Sequence, residues 1–102
     1  MTRDDLVIES PAGRVVVTGT ALSAHVVRAA ETVDGVRVRR PRRGLNVAIV
    51  DDGVHVDVRL NVVAGAQLPA VGDGVQQAIA AALGRATGRA VTVDVVIEEI
   101  DP

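Results

Sequence analysis

The chain contains no cysteine, no Phe, Tyr or Trp, and no lysine. Without cysteine there can be no disulfide, no thiolate nucleophile and no cysteine-ligated zinc. That fits a reducing compartment. Without lysine there is no Walker-type phosphate loop, which needs that residue after its glycine-rich turn. Without aromatic rings there is no stacking platform for single-stranded nucleic acid. No apolar run approaches the length of a membrane span. Met1 to Asp5 is charged and only Leu6-Val7-Ile8 follows, which is not the pattern of a secretory leader. The formal net charge of −2 provides no global field toward polyanions.

What remains is a valine-rich chain of 102 residues, 48% of them apolar, with 22 valines. Such a length suits one domain with a core of its own. Valine is stiff at its first side-chain torsion and fits a pleated surface, so the composition leans toward sheet. The core must be assembled from Val, Ala, Leu and Ile.

Periodicity gives the elements. Residues 1–12 read as a lead-in closed by the turn signal Pro11-Ala12-Gly13, and 13–102 as a single domain. Arg14 to Thr18 is a short strand. Thr18 or Thr20 can cap a helix over 20–33, whose Leu22, Val26, Ala29 and Val33 form one stripe, with Asp34-Gly35 as its stop. Val36 to Arg39 and Leu45 to Val50 alternate as strands, and Asp51-Asp52-Gly53 makes a hairpin turn. The clearest strand follows, with Val54, Val56, Val58, Leu60 and Val62 on one face and His55, Asp57, Arg59 and Asn61 on the other. Pro69 suits the first turn of a helix running to Thr87, and Gly88 suits its end. Gly72, Gly74 and Gly84 each weaken that helix by about 1 kcal/mol relative to Ala, and close approach to the sheet is their expected use. Val91, Val93, Val95 and Ile97 make a last strand before an acidic tail. The order β-α-β-β-β-α-β predicts an α+β two-layer sandwich with both helices on one face of a mixed sheet.

Candidate chemistry is sparse. Gly72-Asp73-Gly74 begins like a dinucleotide fingerprint but lies within a helix and lacks the third glycine. Ser23 and His25 are two apart on a helix and cannot pair; Ser23 reads as solvent-facing and His25 as bordering the core stripe. His55 and Asp57 share a strand face, with Asp51 and Asp52 near in the turn. A divalent metal could use them, but a solvated face is favoured because no firm ligand spacing accompanies them. Glu98 and Glu99 are adjacent on a strand and point apart. No catalytic residue, metal or cofactor is expected. Asp57 and Asp94 also fall on the non-helical face with Arg14, Val16, His55, Arg59, Asn61, Val96 and Glu98, a mixed surface suited to self-association. One charge run stands out: Arg37, Arg39, Arg40, Arg42 and Arg43 place five positive charges in seven residues. These form a candidate partner or anion site, for nucleic acid, acidic lipid or an acidic protein; the alternative is a solvated loop that protects an edge strand.

The stretch Val62-Val63-Ala64-Gly65-Ala66-Gln67-Leu68-Pro69-Ala70-Val71 with Val75-Gln76 resembles the alkaline-shock-protein (envelope stress response) family. Thr87-Gly88 with the following valines, Gly13 to Thr18, and Val33-Asp34-Gly35-Val36 resemble its closing and opening segments. Ala64 stands where many members carry Tyr. The resemblance implies a non-enzymatic, cytoplasmic bacterial protein, a scaffold or interaction module that self-associates as a homo-oligomer, binds a small membrane-spanning partner that can hold it at the membrane, or does both, with no small-molecule substrate. The alternative function is an anion-binding regulatory module using Arg37 to Arg43.

Overall fold

The computed structural model describes residues 4–39 and 45–102. Its elements are β1 (Leu6–Ser10), β2 (Gly13–Val17), α1 (Gly19–Ala30), β3 (Val36–Val38), β4 (Leu45–Val50), β5 (Gly53–Val63), α2 (Leu68–Thr87) and β6 (Val91–Asp101). This is the expected α+β sandwich, with a mixed sheet and two helices on one face, preceded by one additional strand.

β5 is the axis of the sheet. Its alternation buries Val54, Val56, Val58, Leu60 and Val62 beneath the helices. β6 runs parallel along one edge, from Val54↔Val91 to Val63↔Asp101. The other edge is shared: β4 pairs antiparallel with 53–58, and β3 with 60–62. Val38 lies opposite Leu60 and Leu45 opposite Val58, so β3 and β4 follow one another with only Arg59 between their partners. The turn between β4 and β5 is tight, and Asp51 adopts φ 53 there, a conformation Asp tolerates better than most residues. The helices supply Leu22, Val26, Ala29 and Ala30 from α1 and Val75, Ile79 and Leu83 from α2. Each fully buried valine, leucine or isoleucine among them contributes roughly 1.5–3 kcal/mol.

Local chemistry sets the ends. The Thr18 hydroxyl accepts from the Ala21 N–H at 3.1 Å, and Gly88 closes α2 in the left-handed conformation at φ 70. Helix α1 stops at Ala30, three residues before the expected end. Thr32 Oγ1 donates to the Ala29 carbonyl, and the turn carries the chain to Gly35 at φ 76. A side chain at Gly35 would meet Val63 Cγ2 at 2.6 Å.

Several expectations are corrected. Leu6 to Ser10, read as lead-in, is a strand paired with β2, and Leu6 lies in the core. Asp4 N–H donates to the Val47 carbonyl and its carboxylate accepts from Ile49 N–H, closing part of the β4 edge. Asp5 accepts from Gly19 N–H at 2.8 Å and so caps α1 from a distance. Ser23 is buried at 3% exposure, because helix α1 turns that side inward as well. Gly72 and Gly74 do not press on the sheet: a side chain at Gly72 would enter open space and one at Gly74 would face Val33. Gly84 has only the Arg89 carbonyl near, at 3.9 Å. Glu98 to Asp101 is not a tail. The strand continues through a register shift opposite Leu60/Asn61 that lets Glu98 bulge. Arg14 and Val16 leave the main sheet face, since β2 pairs only with β1 among the described strands.

Candidate metal centre on the open face of the sheet

The helices cover one face of the sheet, and the alternation of β5 sends His55, Asp57, Arg59 and Asn61 to the other. The parallel register with β6 then decides their neighbours: Thr92 lies opposite His55, Asp94 opposite Asp57, and Val96 opposite Arg59. Like charges directly opposite one another in a sheet destabilise it. Asp57 and Asp94 form such a pair, and His55 is the basic group that both of them touch.

His55 Nε2 lies 3.4 Å from Asp57 Oδ1 and 3.3 Å from Asp94 Oδ2. Its other ring nitrogen, Nδ1, is 2.6 Å from Thr92 Oγ1. The three ligand atoms lie within 4.8 Å of one another. A lone pair on Nε2 would face two acceptor-only oxygens, so the position between them calls for a hydrogen on Nε2 or a metal ion. When a metal takes Nε2, the ring proton sits on Nδ1 and Thr92 accepts it, which fixes the tautomer and the ring orientation. Two tetrahedral ligands about 2.0–2.1 Å from one ion are roughly 3.3 Å apart, so two of the three separations already match. The side chains are 30%, 50% and 72% exposed for His55, Asp57 and Asp94, which gives the site an open route to solvent. One imidazole and two carboxylates suit a divalent transition metal with positions left for water or a further ligand.

Sequence reasoning had His55 and Asp57 on one face and set a metal aside for want of ligands. The third member of the cluster is Asp94, far along the chain and supplied by the β5–β6 register. Asp51 and Asp52 do not join the cluster. Alternation alone already pointed Asp94 outward; the strand pairing was the information lacking.

The arginine run is divided. Arg37 is exposed on β3. The Arg39 guanidinium bonds the Glu99 carboxylate, and that bond and charge push its already high pKa further up. Arg59 approaches Glu98 at 3.8 Å. Arg40, Arg42 and Arg43 lie outside the described residues. A hollow of about 360 Å³ is lined by Glu31, Asp34, Arg37, Asn61 and Asp101. Another, about 270 Å³, lies beside His55 with Val50, Ala90 and Thr92.

Fold and site together define a small two-layer α+β domain with a histidine–carboxylate cluster on its uncovered sheet face. No family profile and no curated protein matches the chain. Among solved structures it is similar to the C-terminal domain of MamM. One variant of that domain, in a nickel form, superposes with a TM-score of 0.55 at 23% identity, covering 78% of this chain and 96% of that one. Another, in a cadmium form, gives 0.54 at 26% identity over 78% of this chain and 94% of that one. A third gives 0.55 at 24% identity over 78% and 94%. This likeness replaces the resemblance to the alkaline-shock family, and the envelope-stress assignment falls with it. The residues that carried that resemblance are explained by local structure: Gly65 turns the chain at φ 92 and Pro69 opens α2. A glycine turn, a proline helix start and alternating valines recur wherever a strand feeds a helix.

Proposed function

We propose that the chain is a cytoplasmic, non-catalytic domain of a divalent-metal transporter of the cation-diffusion-facilitator (CDF) type, and that it takes a divalent transition-metal ion at His55, Asp57 and Asp94. The observation that carries this is the cluster itself: one imidazole nitrogen held between two opposed carboxylates, on a fold similar to a domain solved in nickel and cadmium forms. Among the described residues no helix is long and apolar enough to cross a membrane. In this reading the domain works beside a membrane-embedded part. Its chemistry there is regulatory. A cation between Asp57 and Asp94 relieves their repulsion and ties β5 to β6, so metal occupancy stiffens the sheet and favours one arrangement of paired copies. Self-association belongs to this reading, since a ligand can only shift an assembly by binding one of its states better.

Equilibrium dialysis of the purified chain against zinc or nickel, followed by metal analysis, tests the assignment. Near-stoichiometric uptake that drops at least about tenfold in affinity with His55→Ala is expected. Uptake that is absent, or unchanged in that variant, refutes it.

A further inference from the structure

Outside the metal cluster, the least covered apolar surface is the N-terminal hairpin. β1 and β2 form a sheet of their own, anchored to the body by Leu6, Val17, Asp4 and Asp5, and no other element packs broadly on the rest. The molecule is correspondingly long, 52 Å against 22 and 19 Å. Val7, Ile8, Val15 and Val16 are 42%, 37%, 59% and 46% exposed. A two-stranded ribbon is marginal in water by itself, and one with exposed valines needs a cover.

The register sorts the ribbon into two faces. Leu6, Ile8, Val15 and Val17 share one, whose Leu6 and Val17 join the core of the body. Val7, Glu9, Arg14 and Val16 share the other, with Val7 opposite Val16 and Glu9 opposite Arg14. That second face has one acid, one base and an apolar centre. Among the described residues neither Glu9 nor Arg14 has an ion-pair partner in its own chain. A two-fold axis requires the same patch on both partners to complement itself. Here it does: rotation about an axis through the valines carries Glu9 of one copy toward Arg14 of the other and the reverse, while the four valines close together.

We infer that the Val7–Glu9–Arg14–Val16 face of the hairpin is the contact through which two copies of this chain pair. This rests on the self-association in the function proposed above, and it is separable from the metal site, which lies on the main sheet.

Sedimentation equilibrium of the full chain tests it. The parent should dimerise, and Val16→Glu should raise the dimer dissociation constant at least about tenfold, the loss of one buried valine face per copy. Glu9→Arg should weaken pairing by like charge, and Glu9→Arg with Arg14→Glu should restore it, which a merely structural role of either residue would not produce. Circular dichroism and zinc dialysis on each variant should match the parent, because these side chains lie outside core and site. A parent that stays monomeric at high micromolar concentration overturns the proposal. So does a dimer that resists Val16→Glu, or one broken instead by Val15→Glu on the opposite face. Loss of zinc uptake with pairing intact would count against the metal assignment and leave this one standing.

Discussion

Replacing Asp94 with Asn should act in opposite directions on the empty and the metal-loaded protein. In the empty protein the change removes one of two carboxylates in register on adjacent strands. Opposed like charges cost about 0.2–1 kcal/mol. Both groups are half-exposed or more, and water screens them, so the low end applies, about 0.3 kcal/mol. For a domain of this size that raises Tm by about 1–2 °C. With zinc at about one hundred times the parent dissociation constant, binding stabilises the parent by about 2.7 kcal/mol. Losing a ligand weakens binding at least about tenfold, which leaves about 1.4 kcal/mol at the same zinc concentration. Differential scanning calorimetry with and without zinc reads both terms. The Asn variant should melt slightly above the parent without metal and several degrees below it with metal. If it melts below the parent in both conditions, Asp94 is holding the fold and not poised for a cation. If zinc shifts both proteins equally, Asp94 is no ligand.

Other expectations follow from burial and backbone. Leu60→Asp, at a fully buried position, should cost several kcal/mol and leave a chain that limited proteolysis digests readily. Leu6→Ala should cost about 2–5 kcal/mol in urea unfolding, because the first strand contributes to the core; a change below about 0.5 kcal/mol would return residues 4–12 to the status of a lead-in. Gly35→Ala forces a side chain into a left-handed backbone and against Val63, and should lower stability by at least about 1 kcal/mol. Glu99→Gln breaks an exposed pair with Arg39 and should leave the urea unfolding midpoint nearly unchanged, any difference fading further in high salt.

The sandwich was legible where a pattern is local. The alternation of Val54 to Val62 gave the central strand and its buried face, and Thr18, Pro69 and Gly88 marked helix ends by capping chemistry that acts within a few residues. Three things were not local. The strand at Leu6 was too short to stand out, and only its pairing with β2 and its burial against the body reveal it. Helix α1 ends early, and the turn after it brings Gly35 beneath Val63, a contact made across the fold. The metal cluster depends on β6 lying parallel to β5 in one register, and a shift of a single residue would place Asp94 on the buried face. The alkaline-shock resemblance failed for a related reason: its residues record a turn and a helix start, which many folds share.

Nitrogen-resolved NMR of the imidazole rings shows whether His55 Nε2 holds a metal ion. The chain has two histidines, and His25 on α1 is remote in sequence from the cluster and absent from it, so it serves as an internal control. Stoichiometric zinc should shift the Nε2 resonance of His55, leave Nδ1 as the protonated nitrogen facing Thr92, and leave both His25 nitrogens in place. If the His55 nitrogens do not move, or if both rings move alike, the metal centre is not where the geometry puts it.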